Sequence, residues 1–202
     1  MDRSEDYVLF RTDTHQQLLD NIEFSLVQIS SLRERHSAFS WSVIGSVLSL
    51  QGACIHQLDG NDTTQTAVLR KDSQKKVIAH LNDRSSGPFP RERLAEPLEL
   101  LRRIAAGGNT QADFSSSWSE TDKENIERLV MLRNEFVHFL PQGWSVALDG
   151  YPDMLTSCWS VISKLIRTPV AYSHRLPESV ATILTGKTDE ILVEIRKLED
   201  VL

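Results

Sequence analysis

The sequence predicts an all-α protein, a bundle of helices forming one domain over residues 1–202. Three observations lead there. Apolar residues recur at helical spacing, as at Leu18, Ile22, Leu26 and Ile29, and again at Ile191, Ile195, Leu198 and Leu202. No series of alternating strands accompanies them. Glycine, proline and short polar runs punctuate the chain between the periodic segments.

Taken in order, residues 14–36 form the first amphipathic helix. Residues 39–58 form the second, with Val43, Val47, Leu50 and Cys54 set among Gly45, Ser46, Ser49, Gly52 and Ala53, and no charge before Asp59. Small residues let a neighbouring helix come close, so this is expected to be the most buried helix. Asp59, Gly60, Asn61 and Asp62 are turn chemistry and end it. Residues 67–82 are basic and helix-compatible, carrying Arg70, Lys71, Lys75 and Lys76, and the plain reading is a solvated face. Residues 91–106 form a short helix with Pro97 near a start or a kink, stopped by Gly107 and Gly108. The Ser-rich residues 110–118 read as a loop. Thr121 and Glu124 have capping-box spacing and start a helix expected to reach Leu140, before Pro141 and Gly143. A short extended piece or hairpin over 141–150 follows, then helices over 151–167 and from 188 to the end.

Composition bounds what such a bundle can do. With 40% hydrophobic and 25% charged residues the chain is an ordinary globular one, which excludes disorder throughout. Its 22 basic and 28 acidic side chains leave a net charge of −6, so no bulk positive field exists and any nucleic-acid site must be local. Cys54 and Cys158 are too few for a disulfide framework or a Cys-rich zinc site and fit a reducing compartment. The first residues are acidic where a signal peptide is basic, and no run of about 18 purely apolar residues occurs, so a cytoplasmic protein without a membrane partner is expected. His15, His36, His56, His80 and His174 lack metal-site spacing, Gly107 and Gly108 lack a following Lys-Ser/Thr, and no Gly-x-Ser-x-Gly is present. No metal or cofactor is expected. Cys158 and His56 read as packing residues. Arg33, Arg35 and His36 read as a complement to a helix dipole, or else as lining for an RNA groove.

The unusual helix is the one starting near Thr121. Its buried seam is expected to run Ile126, Val130, Arg133, Val137, which puts a guanidinium where the period asks for an apolar residue. Asn134 and His138, four apart, share a face, and Arg133 adjoins them, so the three side chains are expected to converge on a groove. Such a cluster can simply pin helices together, with His138 favoured by the negative end of its helix.

The string Arg133, Asn134, Glu135, Phe136, Val137, His138 resembles the Arg-Asn-x-x-x-His signature of the HEPN superfamily, most closely in its plasmid- and defence-associated members. The likeness is tightest over 121–144 and is one of architecture elsewhere. It implies a HEPN-like helical bundle and a metal-independent endoribonuclease, a toxin or defence effector acting as a homodimer on RNA, with an antitoxin protein as a further partner. It implies Arg133 and His138 as the catalytic pair and Asn134 as an orienting residue. An imidazole can take the proton of a ribose 2'-OH, and a guanidinium can hold the phosphate oxygens as charge builds. Family toxins controlled by a nucleotidyltransferase carry Tyr two residues after the His. Leu140 stands there in this chain, which speaks against that route of control. The same three residues also suit a non-catalytic HEPN-like module that binds nucleotide or protein, or a structural helical adaptor.

Overall fold

Uncharged from Phe39 to Leu58, the second helical segment has no side chain that demands water, and the rest of the chain assembles around it. A computed structural model describes residues 12–59, 66–85, 87–107, 113–114, 117–138, 145–146, 148–170 and 177–199. Seven helices occur among them: α1 (Thr14–Ser30), α2 (Ala38–Asp59), α3 (Lys71–Asn82), α4 (Pro97–Ala105), α5 (Glu120–Val137), α6 (Tyr151–Arg167) and α7 (Glu178–Glu199). The all-α expectation holds; the sole β feature among the described residues is an isolated antiparallel bridge, Leu69 to Leu94.

α2 packs against α1, α4, α5 and α6, and α7 closes the bundle against α1 and α6. Val43, Val47, Leu50 and Cys54 are fully buried, as their spacing predicts. α2 is long and apolar enough to cross a membrane by length and composition, with a mean hydropathy of 1.4 over 18 residues, but 56% of that window is buried inside the protein. Its apolar character therefore serves the core. The close approach of α1 depends on Gly45, where a Cβ would stand 2.5 Å from Ser25 Oγ. Toward α6, Tyr151 Oη and Ser42 Oγ share a 2.6 Å hydrogen bond, and Trp159 Nε1 donates to Ser46 Oγ at 3.0 Å. Each buried polar group on this seam thus has a partner, as burial requires.

Several boundaries differ from expectation. α1 stops at Ser30, where turns begin, rather than at His36. Residues 67–70 are turn and extended backbone because Val68 O and the Arg70 N–H pair with Ala95 N–H and Arg93 O, at 2.9 and 2.8 Å. That pairing also holds 91–96 extended, so α4 begins at Pro97, its proline occupying the first turn where no N–H is needed. α5 is capped by Ser119 and Asp122, two residues before the expected Thr121 and Glu124. α7 begins at Glu178 rather than at 188, with Leu184, Ile191, Ile195 and Leu198 buried; Leu202 lies outside the described residues. α6 keeps its expected limits, entered through Gly150 at φ 73°. In the expected loop over 110–118, Phe114 and Trp118 are buried with ring centroids 5.9 Å apart. Half of the expected hairpin, 141–144 and 147, lies outside the described residues, as do Phe139 and Leu140 at the expected end of α5.

Candidate functional site

α5 is held at both ends. At its start Ser119 Oγ accepts from the Asp122 N–H at 3.1 Å, while Asp122 accepts from the Ser119 N–H at 2.9 Å. Partial burial pushes the Asp122 carboxyl up, but hydrogen bonds from Ser119 and Ser157 outweigh it and hold the group below its usual range. At its end Phe136 meets Phe39 edge to face at 5.6 Å, and Phe39 leans on Tyr151 at 4.5 Å. Three aromatic rings therefore fasten the last turn of α5 to the first turns of α2 and α6.

This anchoring sets the direction of the motif side chains. Ile126, Leu129 and Val130 are buried and Phe136 is partly buried, whereas Val137 is 47% exposed, so the seam passes through Leu129 and Phe136 instead of ending at Val137. Arg133 follows the seam inward. Its side chain is 16% exposed, Nη2 stands 4.0 Å from Glu96 Oε2, and the buried Nε has no hydrogen-bond partner among the described residues. Asn134 and His138 are exposed. His138 is the C-cap of α5, with its N–H donating to Asn134 O at 2.9 Å.

Arg133, Asn134 and His138 thus lie at one helix end, as expected, but do not converge within one chain. Positions five apart on a helix are turned by about 140°, and Phe136 fixes which of them faces the core. Arg133 looks toward the start of α4, and the imidazole looks to solvent. A solvent-open imidazole can exchange protons with a substrate, and a covered guanidinium at a helix junction can serve either as a hydrogen-bond donor to an anion or as a strut.

The other singled-out residues fall into structural places. His56 is buried edge to face with His15 at 5.3 Å, and burial, then the neighbouring His15, pushes its imidazole down to about 4. Cys54 and Cys158 are buried, and burial pushes both thiols up, which suits packing. Arg33 Nη2 donates to Lys197 O at 2.6 Å, so it satisfies a carbonyl in the last turn of α7 rather than of its own helix. Comparison of the chain with protein families, with curated proteins and with solved structures finds no match.

Proposed function

We propose that the chain is a metal-independent endoribonuclease of the HEPN type, a toxin or defence effector that works as a homodimer. The observation that carries this reading is the pairing, at the end of one anchored helix, of an exposed imidazole at His138 with a guanidinium at Arg133 whose Nε has no hydrogen-bond partner among the described residues. His138 takes the proton of a ribose 2'-OH, the O2'–P bond forms, and the bond from phosphorus to the next nucleotide's 5'-oxygen breaks. Protonation of that oxygen, by the second copy's imidazole or by water, leaves a 2',3'-cyclic phosphate and a 5'-hydroxyl. Because Arg133 and His138 point apart, the groups that meet across one phosphate come from two copies related by a two-fold axis, which sets a patch opposite itself.

The inward course of Arg133 toward Glu96 favours a second reading, a non-catalytic HEPN-like module that binds nucleotide or protein. The deciding experiment expresses the wild type beside His138→Ala and follows growth, RNA integrity with chelator present, and mass by light scattering. The endoribonuclease reading expects chelator-resistant cleavage with cyclic phosphate ends, loss of cleavage and of growth arrest in His138→Ala, and a dimer in both. Intact RNA with the wild type, or cleavage unchanged in His138→Ala, hands first place to the binding module.

A further inference from the structure

Within a chain of net charge −6, residues 70–103 carry nine Lys or Arg against five Asp or Glu, a local +4. The fold gathers this charge. α3 lies outside the helix-on-helix packing of the bundle and is tied on by backbone pairing. Arg70 N–H donates to Arg93 O, and Ser73 Oγ donates to Arg91 O at 3.2 Å while accepting from Arg93 N–H at 3.0 Å. Arg91 and Arg93 are thereby brought alongside the first turn of α3, twenty residues away in sequence. Arg103 then locks the ladder to α4, its Nη1 donating to Ala67 O and Leu69 O at 2.7 Å each.

Ser73 and Val77 use the inner side of α3, which leaves Lys75 and Lys76 outward. Lys75, Lys76, Arg84, Arg91 and Arg93 are exposed and form no ion pair among the described residues. Phe89, two residues before Arg91, is 54% exposed, its ring set edge-on against His80 of α3 at 5.3 Å. Cations without an ion pair, on the same two segments as a fixed, half-open aromatic ring, are the elements of a single-strand platform: cations track phosphates and the ring stacks a base. Val77 is spent on docking while Ile78 and Leu81 stay 42% and 38% exposed, but two of the five free cations, Arg91 and Arg93, lie on the extended segment and not on α3, so a single amphipathic membrane helix fits less well.

We propose that α3 and residues 87–95 form a face that binds single-stranded RNA and delivers it to the end of α5. Delivery follows from position: Glu96, next to the ladder residue Ala95, is the group that Arg133 approaches. The delivery step rests on the endoribonuclease reading, whereas RNA binding by the face does not.

The test titrates a labelled single-stranded RNA with the His138→Ala protein across a salt series. Replacing Lys75, Lys76, Arg91 and Arg93 together by Gln should lower the slope of log affinity against log salt by about 2 to 3. Phe89→Ala should weaken binding about tenfold and leave that slope unchanged. An unaltered slope in the fourfold variant overturns the proposal, as does preference of the parent protein for phosphatidylserine vesicles or polyglutamate over RNA. Phe89→Ala alone decides the matter should the fourfold variant lose its helical circular dichroism. Cleavage by wild-type protein with unchanged binding in these variants removes the platform and keeps the enzyme; lost binding without any wild-type cleavage does the reverse.

Discussion

Arg133 Nη2 stands 4.0 Å from Glu96 Oε2, and through this pair the motif helix α5 meets the N-cap of α4. The carboxylate is 72% exposed, so the contact is a loose, screened one that a substrate phosphate could replace. Glu96→Gln is accordingly expected to change unfolding free energy by less than about 0.5 kcal/mol. Arg133→Met fills the same space without charge and should fold, yet lower RNA cleavage by about a hundredfold or more. A melt and a cleavage rate on each variant check this. If Arg133→Met unfolds the protein, the arginine is a strut.

The start of α5 offers a sharp comparison, because Ser119 and Thr121 are both exposed hydroxyl residues and Ser119 alone makes the cap. Ser119→Ala should cost about 1 kcal/mol in urea unfolding, whereas Thr121→Val should stay within about 0.5. Equal effects would show that the cap is not where the hydrogen bonds put it.

His56 makes stability depend on pH. Its imidazole sits near 4 when folded against 6.5 as the ordinary value, because burial and then His15 disfavour the charged form. Above pH 6.5 the group is neutral in both states and contributes nothing. As pH falls from 6.5 toward 4 the unfolded chain takes up a proton that the folded chain refuses, so stability drops, by on the order of 3 kcal/mol in all, and levels off below. His56→Gln removes this dependence. Denaturant melts between pH 8 and 4 that run parallel for wild type and variant would contradict it.

Arg103 is expected to act through geometry more than charge. Its fork reaches Ala67 O, Leu69 O and the Glu99 carboxylate together, which an ammonium cannot do. Burial pushes the Glu99 carboxyl up, but Arg103, Arg102 and Lys71 outweigh it and hold it low, so the clamp stays charged at neutral pH. Arg103→Lys should cost about 2 kcal/mol and speed amide exchange in α3 more than in α2. Uniform exchange across both helices would mean that α3 is held some other way.

The helical class, the buried seams of α2 and α7 and the limits of α6 are legible in the residues alone. In each of these, one dominant signal, an uncharged run, a strict apolar period or a Gly–Pro boundary, outweighs any alternative. The spacing also brings Arg133, Asn134 and His138 together at the end of one helix. Where those side chains point depends on packing between helices, because Phe136 against Phe39 sets the rotation of α5 and turns Arg133 inward while leaving His138 in solvent. Likewise Lys71, Lys75 and Lys76 read as a solvated helix face until residues 67–70 pair with 91–95 and bring Arg91 and Arg93 beside them. Periodicity reports which side of a helix seeks the core; it carries no information on a backbone ladder closed across twenty residues, whose hydrogen bonds use atoms that every residue has.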